Sequence, residues 1–378
     1  MSVEIWPHVA PDQLKVAVET AQKCELDWLV EELRETLTNL KHGLEDCYAL
    51  LAPIDPGSTL VLSTPRNETV KGYVTRVGTR IVKGTIHLRL RTLPQQTLTI
   101  NPDHPIHLGP LTSLHTLLTH SIDLLTLTLS YSYPSDESAA QSRGSHPSSS
   151  PPTSSPQFLA AQLRLLSQSL AEASSHLKGA PLTTPDPSWT TWSVAPSHFL
   201  PPLSQPHANS NQPSLSFHLS IQDSCLVLWL RALEPAGAPL NFGTKLALAI
   251  GTARRLEHDE TERVFGFCCG GGDDGGSDGD GYRNHDTSSG GPTGSPGSRP
   301  VVLSGTRRRE VDVYVREKVR VESADPSLLS LSAKLTALGH TLALARRNLA
   351  AVMGVKFEED DDDEKNEEEE EEGGGVVG

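Results

Sequence analysis

The sequence predicts an α+β protein in which an antiparallel four-helix bundle, built from separated segments, accompanies a separate antiparallel β domain. Three observations lead to this prediction. Apolar residues recur every three or four positions in segments near both ends and in the middle of the chain, which is the period of an amphipathic helix. Between these segments the apolar period changes to two, as in strands with one solvated face. The helical segments cannot each bury an apolar stripe alone, so we expect them to pack together.

The first helical segment begins at Pro11 and Asp12 and is strongly amphipathic. Pro53, Pro56 and Gly57 end the helical pattern, because proline and glycine disfavour its continuation. The apolar stripe of this segment consists of Leu26, Leu29, Leu33, Leu37, Leu40, Leu44, Cys47 and Leu51. Charged residues occupy the other faces, so the stripe is expected to be buried.

Two alternatives explain the burial of this leucine stripe. It packs within the chain's own core, or it forms an intermolecular zipper, since the segment just reaches the three or four heptads that a coiled coil usually sustains. Trp28, with Leu29 and Leu33 after it, is the candidate partner-binding site, because aromatic side chains dominate interface energetics. A place for Trp28 in the core is the other interpretation.

A group of short strands follows, where the apolar period changes from about 3.6 to 2. Alternation of apolar and polar residues predicts an antiparallel sheet that is solvated on one side. Gly78 and Thr79 lie where a hairpin turn is expected. The predicted strands are Leu60–Leu62, Thr69–Val77, Arg80–Arg91 and Thr97–Ile100.

Helical spacing returns in three later segments, and a second group of strands lies before the last of them. The helices are predicted after Pro110, at Phe158–Leu177, and from Pro326, preceded by the capping residue Asp325, to Met353. The strands are predicted at Leu215–Ile221, Cys225–Leu233 and Glu310–Val321, with Asp223 and Ser224 in a turn and weaker candidates at Asn241–Thr252 and Arg255–Glu257.

The two predicted domains are each assembled from separated segments. The helical bundle domain comprises residues 11–52, 110–180 and 325–354, and the β domain comprises residues 57–103 and 189–322. Two stretches rich in Ser, Pro, Gly and Asp, 133–157 and 258–308, are predicted to be disordered inserts, and 355–378 is predicted to be a disordered acidic tail.

The negative charge of the chain is concentrated in that tail. The formal net charge is −15, and Glu358–Glu372, with thirteen acids and Lys365, contributes −12, which leaves −3 for the rest. Such a tail either binds a basic partner or serves only solubility and self-repulsion. No basic stripe interleaves with aromatic residues, so nothing favours nucleic-acid binding.

The cysteines favour a reducing compartment, and the hydropathy of the chain predicts neither a signal peptide nor a membrane-spanning helix. The five cysteines are irregularly spaced and two are adjacent, which suits a cytosolic protein without a disulfide framework. The N-terminal sequence lacks a basic region followed by an apolar run, so no signal peptide is predicted. No apolar stretch approaches the roughly 18 residues of a spanning helix, so any membrane contact is expected to be peripheral.

No motif in the sequence predicts catalysis, a cofactor or a metal site, since Walker A, HExxH, GxSxG and paired CxxC patterns are absent. Cys268 and Cys269 are interpreted as loop thiols, because a metal needs further ligands. Gly270–Gly281 lacks the bidentate Glu of a calcium loop. A hydrolase or transferase with a divergent site is the remaining enzyme hypothesis. Four histidines have no carboxylate or thiol partner nearby in the sequence pattern, so they are interpreted as surface or hydrogen-bonded residues and not as a metal or catalytic site: His104, His107, His115 and His120.

Three stretches of the chain are similar, in order, to one known family. The first is LDWLVEELRETLTNLKHGLEDCYALL, Leu26–Leu51, which resembles the family's opening helix. The second is LVLSTPRNETVKGYVTRVGTRIVKGTIHLRL, Leu60–Leu90, where Val70-Lys71-Gly72 matches a Val-Lys-Gly at the first hairpin. The third is SLSFHLSIQDSCLVLWLRALEP, Ser214–Pro235, which resembles a hairpin ending in a Leu-x-Ala-Leu-x-Pro-like run. On these residues the chain resembles the Rogdi family, also called RAVE subunit 2.

The resemblance implies a non-enzymatic subunit of a RAVE-type complex, without catalytic residues or cofactors. Such a complex promotes assembly of the vacuolar proton-pumping V-ATPase from its soluble catalytic and membrane sectors, and hence vacuolar acidification. The implied partners are the large WD-repeat RAVE scaffold subunit and catalytic-sector subunits of the V-ATPase. The implied location is the cytoplasm, peripherally at the vacuolar or endosomal membrane. The alternative function is a generic dimerising coiled-coil adaptor unrelated to the pump.

Overall fold

The computed structural model describes residues 10–51, 56–64, 69–132, 155–180, 188–204, 206, 214–236, 263–269 and 309–355. The helices in these ranges are α1 (Pro11–Leu51), α2 (Gly109–Ser132), α3 (Pro156–Lys178), α4 (Trp189–Trp192) and α5 (Pro326–Val352). The strands are β1 (Ser58–Ser63), β2 (Val70–Val77), β3 (Arg80–Leu88), β4 (Gln96–Ile100), β5 (Ile106–His107), β6 (Phe199–Leu200), β7 (Ser214–Gln222), β8 (Cys225–Pro235), β9 (Val264–Cys269) and β10 (Arg309–Ala324).

The α+β class is confirmed, but the prediction of a four-helix bundle with a separate β domain is wrong. The described ranges contain five helices and two antiparallel sheets. The compact unit that holds the sheets also holds all of α4 and residues 49–51, 109–115, 175–178 and 326–332 of the four long helices. The helices are therefore not confined to a bundle. Apolar periodicity identifies which face of a helix is buried, but it does not identify what buries that face.

The chain forms two compact units, and each of them is discontinuous in sequence. One unit comprises residues 1–48, 116–174 and 333–378, and the other comprises residues 49–115 and 175–332. The domain boundaries expected from the sequence stay a prediction. The expected insert at 133–157 and the acidic tail lie almost wholly outside the described residues, as do the weak strand candidates between 241 and 257.

The first unit is held by leucines from its four helical segments. Gly43 of α1 lies so close to α5 that an added Cβ would be 2.5 Å from Leu338 Cδ2. Arg346 Nη1 of α5 donates a hydrogen bond to Ser167 Oγ of α3 over 2.8 Å. The buried residues of this unit include Leu33, Leu37, Leu40, Leu44, Leu118, Leu125, Leu159, Leu163, Leu166, Leu170, Leu335, Leu342 and Leu349.

The second unit contains both sheets. The first sheet has the strand order β1-β2-β3-β4-β6, with β5 beside β3, and the second has the order β7-β8-β10-β9. The predicted hairpin turns are confirmed at Gly78, where φ is +59°, and at Asp223 and Ser224, where φ is +47° and +61°. The carboxylate of Glu317 in β10 accepts hydrogen bonds from the amides of Arg91 and Thr92 after β3, which joins the two sheets.

A glycine of the Val70-Lys71-Gly72 motif has a steric role in the first sheet. Gly72 lies in β2 opposite Ile86 of β3 and Leu62 of β1. A Cβ at this position would be 2.1 Å from the carbonyl oxygen of Thr85. The motif therefore marks a close approach of two backbones, where a strand position tolerates only glycine.

Sequence analysis missed several elements, among them α4, β5, β6 and β9. Helix α4 and strand β6, which pairs with β4, lie in a Pro-rich stretch whose composition masks them. Strand β9 lies inside the expected insert 258–308, so that expectation is wrong for Val264–Cys269. The run VFGFCC is short and borders a Gly-rich sequence, and its pairing with distant β10 is a tertiary contact that local composition does not encode.

A buried ion pair joins β2 to the ends of two long helices within the second unit. Arg76 and Asp325 are both fully buried, and Arg76 Nε lies 2.6 Å from Asp325 Oδ2. Arg76 Nη1 also donates to the carbonyl oxygens of Leu51, the last residue of α1, at 3.1 Å and of Gly78 at 2.5 Å. Asp325 Oδ1 accepts a hydrogen bond from Ser327 N and thereby caps α5. One guanidinium thus fixes where α1 ends and where α5 begins.

By length and composition, one helix among the described residues could cross a membrane, namely α5, although the sequence analysis expected none. One such helix is weak evidence, because the core helix of a globular protein meets the same criteria. The stripe of α5 is buried by the chain itself at Leu328, Leu331, Leu335, Leu342 and Leu349, which is how a core helix uses its apolar face.

Candidate partner-binding surface

Helix α1 consists of two segments that differ in burial. Its 41 residues correspond to about 60 Å of helix. The N-terminal segment, Pro11–Trp28, is exposed at every residue except Leu26, which is half-buried. The C-terminal segment, Leu29–Leu51, buries every residue of the predicted leucine stripe except the half-buried Leu26: Leu29, Leu33, Leu37, Leu40, Leu44, Cys47 and Leu51. These leucines therefore pack in the chain's own core.

The sequence explains why burial of α1 stops where it does. Positions one heptad apart lie on nearly the same helix face, so the leucine stripe continues upstream at Gln22, Glu19 and Lys15. All three are polar and exposed. Lys15 Nζ lies 3.9 Å from Glu19 Oε1, and both side chains are mostly solvent-accessible. The face that is apolar in the C-terminal segment is thus a hydrated charged face in the N-terminal segment.

A second apolar stripe, which we call the seam, runs along the N-terminal segment on another face. Its residues are Leu14, Ala17, Ala21, Cys24 and Trp28, spaced three, four, three and four positions apart, and all are exposed. Leu14 is 54% and Trp28 65% solvent-accessible. Consecutive helical residues point about 100° apart, so the seam at Trp28 does not overlap the core stripe that begins at Leu29. Sequence analysis missed the seam, although its heptad spacing was visible.

The three residues of the predicted partner-binding site lie in different environments. Trp28 is on the surface, whereas Leu29 and Leu33 retain only 8% and 3% exposure. The structure thus presents Trp28 alone of the three to an incoming protein. A role for Trp28 in partner binding stays a prediction, and the exposed seam residues are its new neighbours.

An exposed ion pair marks the surface beside the C-terminal segment. Lys334 Nζ of α5 lies 2.8 Å from Asp46 Oδ2 of α1. The hydrogen bond from Lys334, supported by its positive charge, lowers the pKa of Asp46. The same hydrogen bond raises the pKa of Lys334. Both groups are solvated, so the pair contributes little to stability.

The cysteines of α1 differ as the two segments do. Cys24 is exposed and belongs to the seam, whereas Cys47 is buried in the core stripe. Burial raises the pKa of the Cys47 thiol to about 11, because a thiolate is poorly solvated in an apolar environment. Cys47 is therefore a core residue and not a nucleophile at neutral pH.

The second unit carries a group of cations around a tryptophan on one face of its second sheet. Lys318 Nζ lies 4.8 Å from the ring centre of Trp229, and the guanidinium carbons of Arg231 and Arg320 lie at 5.3 and 5.5 Å. Cations at these distances are attracted by the ring face. Arg320 also pairs with Glu322. This arrangement stiffens the sheet face through side-chain contacts across β8 and β10.

Residues with catalytic or metal-binding chemistry are dispersed in the described ranges. There, no group of three or more His, Cys, Asp or Glu side chains is placed to hold a metal ion. Of the predicted histidine set, His107 lies in β5, His115 and His120 lie in α2, and the carbonyl of His104 is bonded by His198 Nδ1 at 2.9 Å. The candidate calcium stretch Gly270–Gly281 lies outside the described residues.

These features define an α+β protein whose long first helix is a core element along one part and an exposed apolar surface along the other. The family model described as "Rogdi leucine zipper containing protein" matches residues 25–350 of the chain. The match covers most of the chain, so the protein belongs to the Rogdi family. A search of the curated proteins found no match. The family match begins at residue 25, so it contains Trp28 and the core stripe, while most of the seam precedes it.

Proposed function

We propose that this Rogdi-family chain is a non-enzymatic subunit of a RAVE-type complex, which promotes assembly of the V-ATPase from its soluble catalytic and membrane sectors and so supports vacuolar acidification. Its proposed partners are the large WD-repeat scaffold subunit of that complex and catalytic-sector subunits of the pump. It acts in the cytoplasm, peripherally at the vacuolar or endosomal membrane, and meets the membrane only through these partners. The observation that carries the proposal is the family match over residues 25–350.

The described structure is compatible with a docking mechanism. Trp28 is a large exposed aromatic on a helix whose next turns are fixed in the core by Leu29 and Leu33. A rigidly held aromatic loses little conformational freedom when it enters a partner's pocket, which is typical of interface hot spots. In this mechanism one surface holds the scaffold subunit, and the complex presents the catalytic sector to the membrane sector. Charged residues around the contact set the association rate more than the affinity.

Deletion of the chain tests this function directly. Vacuolar pH is expected to rise while the amounts of the pump subunits stay normal, and less catalytic sector is expected to co-purify with the membrane sector. Re-expression should restore both. Normal acidification, or affinity purification that brings down neither a WD-repeat scaffold nor pump subunits, would refute the proposal.

A pair of tryptophan variants tests whether Trp28 is the contact. Trp28 and Trp192 are almost equally exposed, at 65% and 64%, but they lie on α1 and on the short helix α4. Trp28→Ala is expected to weaken co-purification of the scaffold subunit by about tenfold or more, as for an aromatic hot spot. Trp192→Ala is the matched control and should leave it unchanged. Equal effects of both variants would remove Trp28 from the interface.

The alternative function is a dimerising coiled-coil adaptor unrelated to the pump. The heptad spacing of the seam favours it, because such spacing is typical of paired helices. Light scattering at micromolar concentration separates the two functions. A stable dimer that Trp28→Ala dissociates, together with normal acidification in the deletion strain, would support the adaptor.

A further inference from the structure

The seam has acidic flanks where it reaches Trp28. When Leu14, Ala21 and Trp28 occupy heptad position a, Glu25 and Glu32 fall at position e. Asp27 falls at position g of the same frame. Residues at e and g border the contact between two paired helices and determine which partner is accepted. All three acids are exposed. The end of the seam with the largest side chain therefore has negative charge on both sides.

These flanks disfavour pairing of the seam with a second copy of the chain. In a parallel pair, position g of one helix faces position e of the next heptad on the other, which places Asp27 opposite Glu32. Like charges at such positions are destabilising. In an antiparallel pair, e faces e and g faces g, and with the two seams overlapped the acids at the Trp28 end face uncharged residues of the other copy, Gln13, Val18 and Thr20, so they gain no opposite charge. Charge complementarity therefore favours a partner with lysine or arginine at the flanking positions.

The size of the seam residues constrains the same partner. Ala17 and Ala21 leave shallow positions in the middle of the seam, whereas Leu14 and Trp28 project at its two ends. A close-packed contact needs large apolar side chains opposite the alanines and smaller ones opposite Trp28. The seam spans 15 residues, Leu14–Trp28, or about 21 Å of helix, so the matching segment is a helix of about four turns.

We propose that the seam of α1 binds an amphipathic helix of a different protein, which carries large apolar residues at its contact positions and basic residues beside them. The C-terminal segment of α1 is fixed in the core, so the N-terminal segment continues an already nucleated helix. That removes the costly nucleation step which makes isolated helices of this length marginal in water. The chemistry of the bound helix follows from the charged residues beside the seam and from the sizes of the seam side chains. It does not depend on whether the partner belongs to the pump complex.

The test uses the full-length chain and a pair of designed helical peptides of about 21 residues. Both peptides carry leucine at the central a and d positions and alanine at the terminal ones, as the sizes of the seam residues require; one has lysine at e and g, and the other has glutamate there. Fluorescence anisotropy of the labelled peptides measures binding. The lysine-flanked peptide is expected to bind at least about tenfold more tightly than the glutamate-flanked peptide, and the triple variant Glu25→Gln, Asp27→Asn, Glu32→Gln should reduce that preference.

Two seam variants exclude binding of the basic peptide elsewhere. The acidic tail at Glu358–Glu372 also attracts a lysine-rich peptide. Binding of the peptide to the tail, however, does not depend on the residues of the seam. Trp28→Ala and Ala21→Glu are exposed substitutions by helix-forming residues, and each is expected to weaken binding about tenfold or more if the seam is the site. Unchanged binding by both variants would overturn the proposal. So would a dimer of the wild-type chain in sedimentation that either variant dissociates, because a second copy would then occupy the seam.

These measurements are independent of the proposed cellular function. Binding of the basic-flanked peptide with normal vacuolar acidification after deletion would refute the assembly function and leave the helix-binding surface intact. Impaired acidification with no peptide preference would do the reverse.

Discussion

The two segments of α1 have similar helical geometry but opposite relations to solvent. In the C-terminal segment the leucine stripe lies in the core, and Leu44 and Leu51 are completely buried. In the N-terminal segment the same face is polar, and the apolar seam on another face is exposed. Helical periodicity alone therefore does not distinguish a structural helix from a binding helix. The distinction depends on which face carries the stripe and on whether the rest of the chain covers it.

The largest expected effect concerns the junction at which the C-terminal segment ends. Arg76→Ala leaves Asp325 buried without its cation and Leu51 O without its donor, and should lower the free energy of unfolding by about 3–5 kcal/mol. Urea denaturation measures this change. Arg89→Ala, at an exposed arginine of the same region, is the control and should change it by less than about 0.5 kcal/mol.

The double variant Arg76→Met, Asp325→Asn checks the cause of that loss. It removes the uncompensated charge, and asparagine retains the ability to cap α5. It should therefore recover part of the stability lost in Arg76→Ala. No recovery would show that the helix junction depends on the hydrogen bonds of Arg76 and not on charge pairing.

A pair of leucine truncations compares the two segments directly. Leu44→Ala removes a fully buried side chain of the C-terminal segment and should destabilise the protein by about 2–5 kcal/mol. Leu14→Ala removes a seam residue that is 54% exposed and should cost less than about 0.5 kcal/mol. Thermal or urea unfolding gives both values. A large loss from Leu14→Ala would mean that the seam is covered within the chain.

The cysteines provide a chemical comparison of the same two segments. At pH 7 a maleimide should label exposed Cys24 at least about a hundredfold faster than Cys47, because Cys47 is buried and its pKa is raised to about 11. Peptide mass spectrometry resolves the two sites, and unfolding in urea should abolish the difference. Rapid labelling of Cys47 in the folded protein would indicate frequent opening of the core stripe.

The smallest expected effect is the pH dependence of the exposed pair Asp46–Lys334. The hydrogen bond from Lys334 holds the folded-state pKa of Asp46 below its ordinary value of 3.8, so its contribution is present above that pH and is lost as pH falls through the folded pKa. The pKa of Lys334 is raised above 10.5, so its contribution is present below that pH and is lost as pH rises through the folded pKa. Lys334→Gln should therefore be slightly less stable at neutral pH and nearly equal to wild type at both extremes.

The ranges of the long helices and the main hairpins were predictable from local pattern. Leucines at three- and four-residue intervals predicted α1. The turns at Gly78 and at Asp223–Ser224 were predicted because each separates two runs of alternating apolar residues, and both turns have positive φ in the structure. The arrangement of the helices was not predictable in this way. Residues 49–51 of α1 and 326–332 of α5 belong to the unit that contains the sheets. Apolar periodicity does not predict which unit the end of a helix belongs to.

The remaining features depend on contacts between distant residues. Arg76 and Asp325 are 249 positions apart, and neither has a local pattern that predicts full burial of a charged side chain. Trp28 could have been placed on the surface from sequence, because it adjoins Leu29 and two neighbours cannot share one narrow helix face. The seam was overlooked because the leucine stripe that begins at Leu26 dominates the same helix.

The separation along the chain of α1 and α5 has a consequence for biosynthesis. Asp46 and its partner Lys334 are 288 residues apart, so α1 leaves the ribosome long before α5 is made. At a translation rate of about 5–20 residues per second, the leucine stripe of α1 remains without helix α5 for roughly 15–60 seconds. During this interval the nascent chain displays an apolar helix face to solvent, and we expect molecular chaperones to shield it until the last helix emerges.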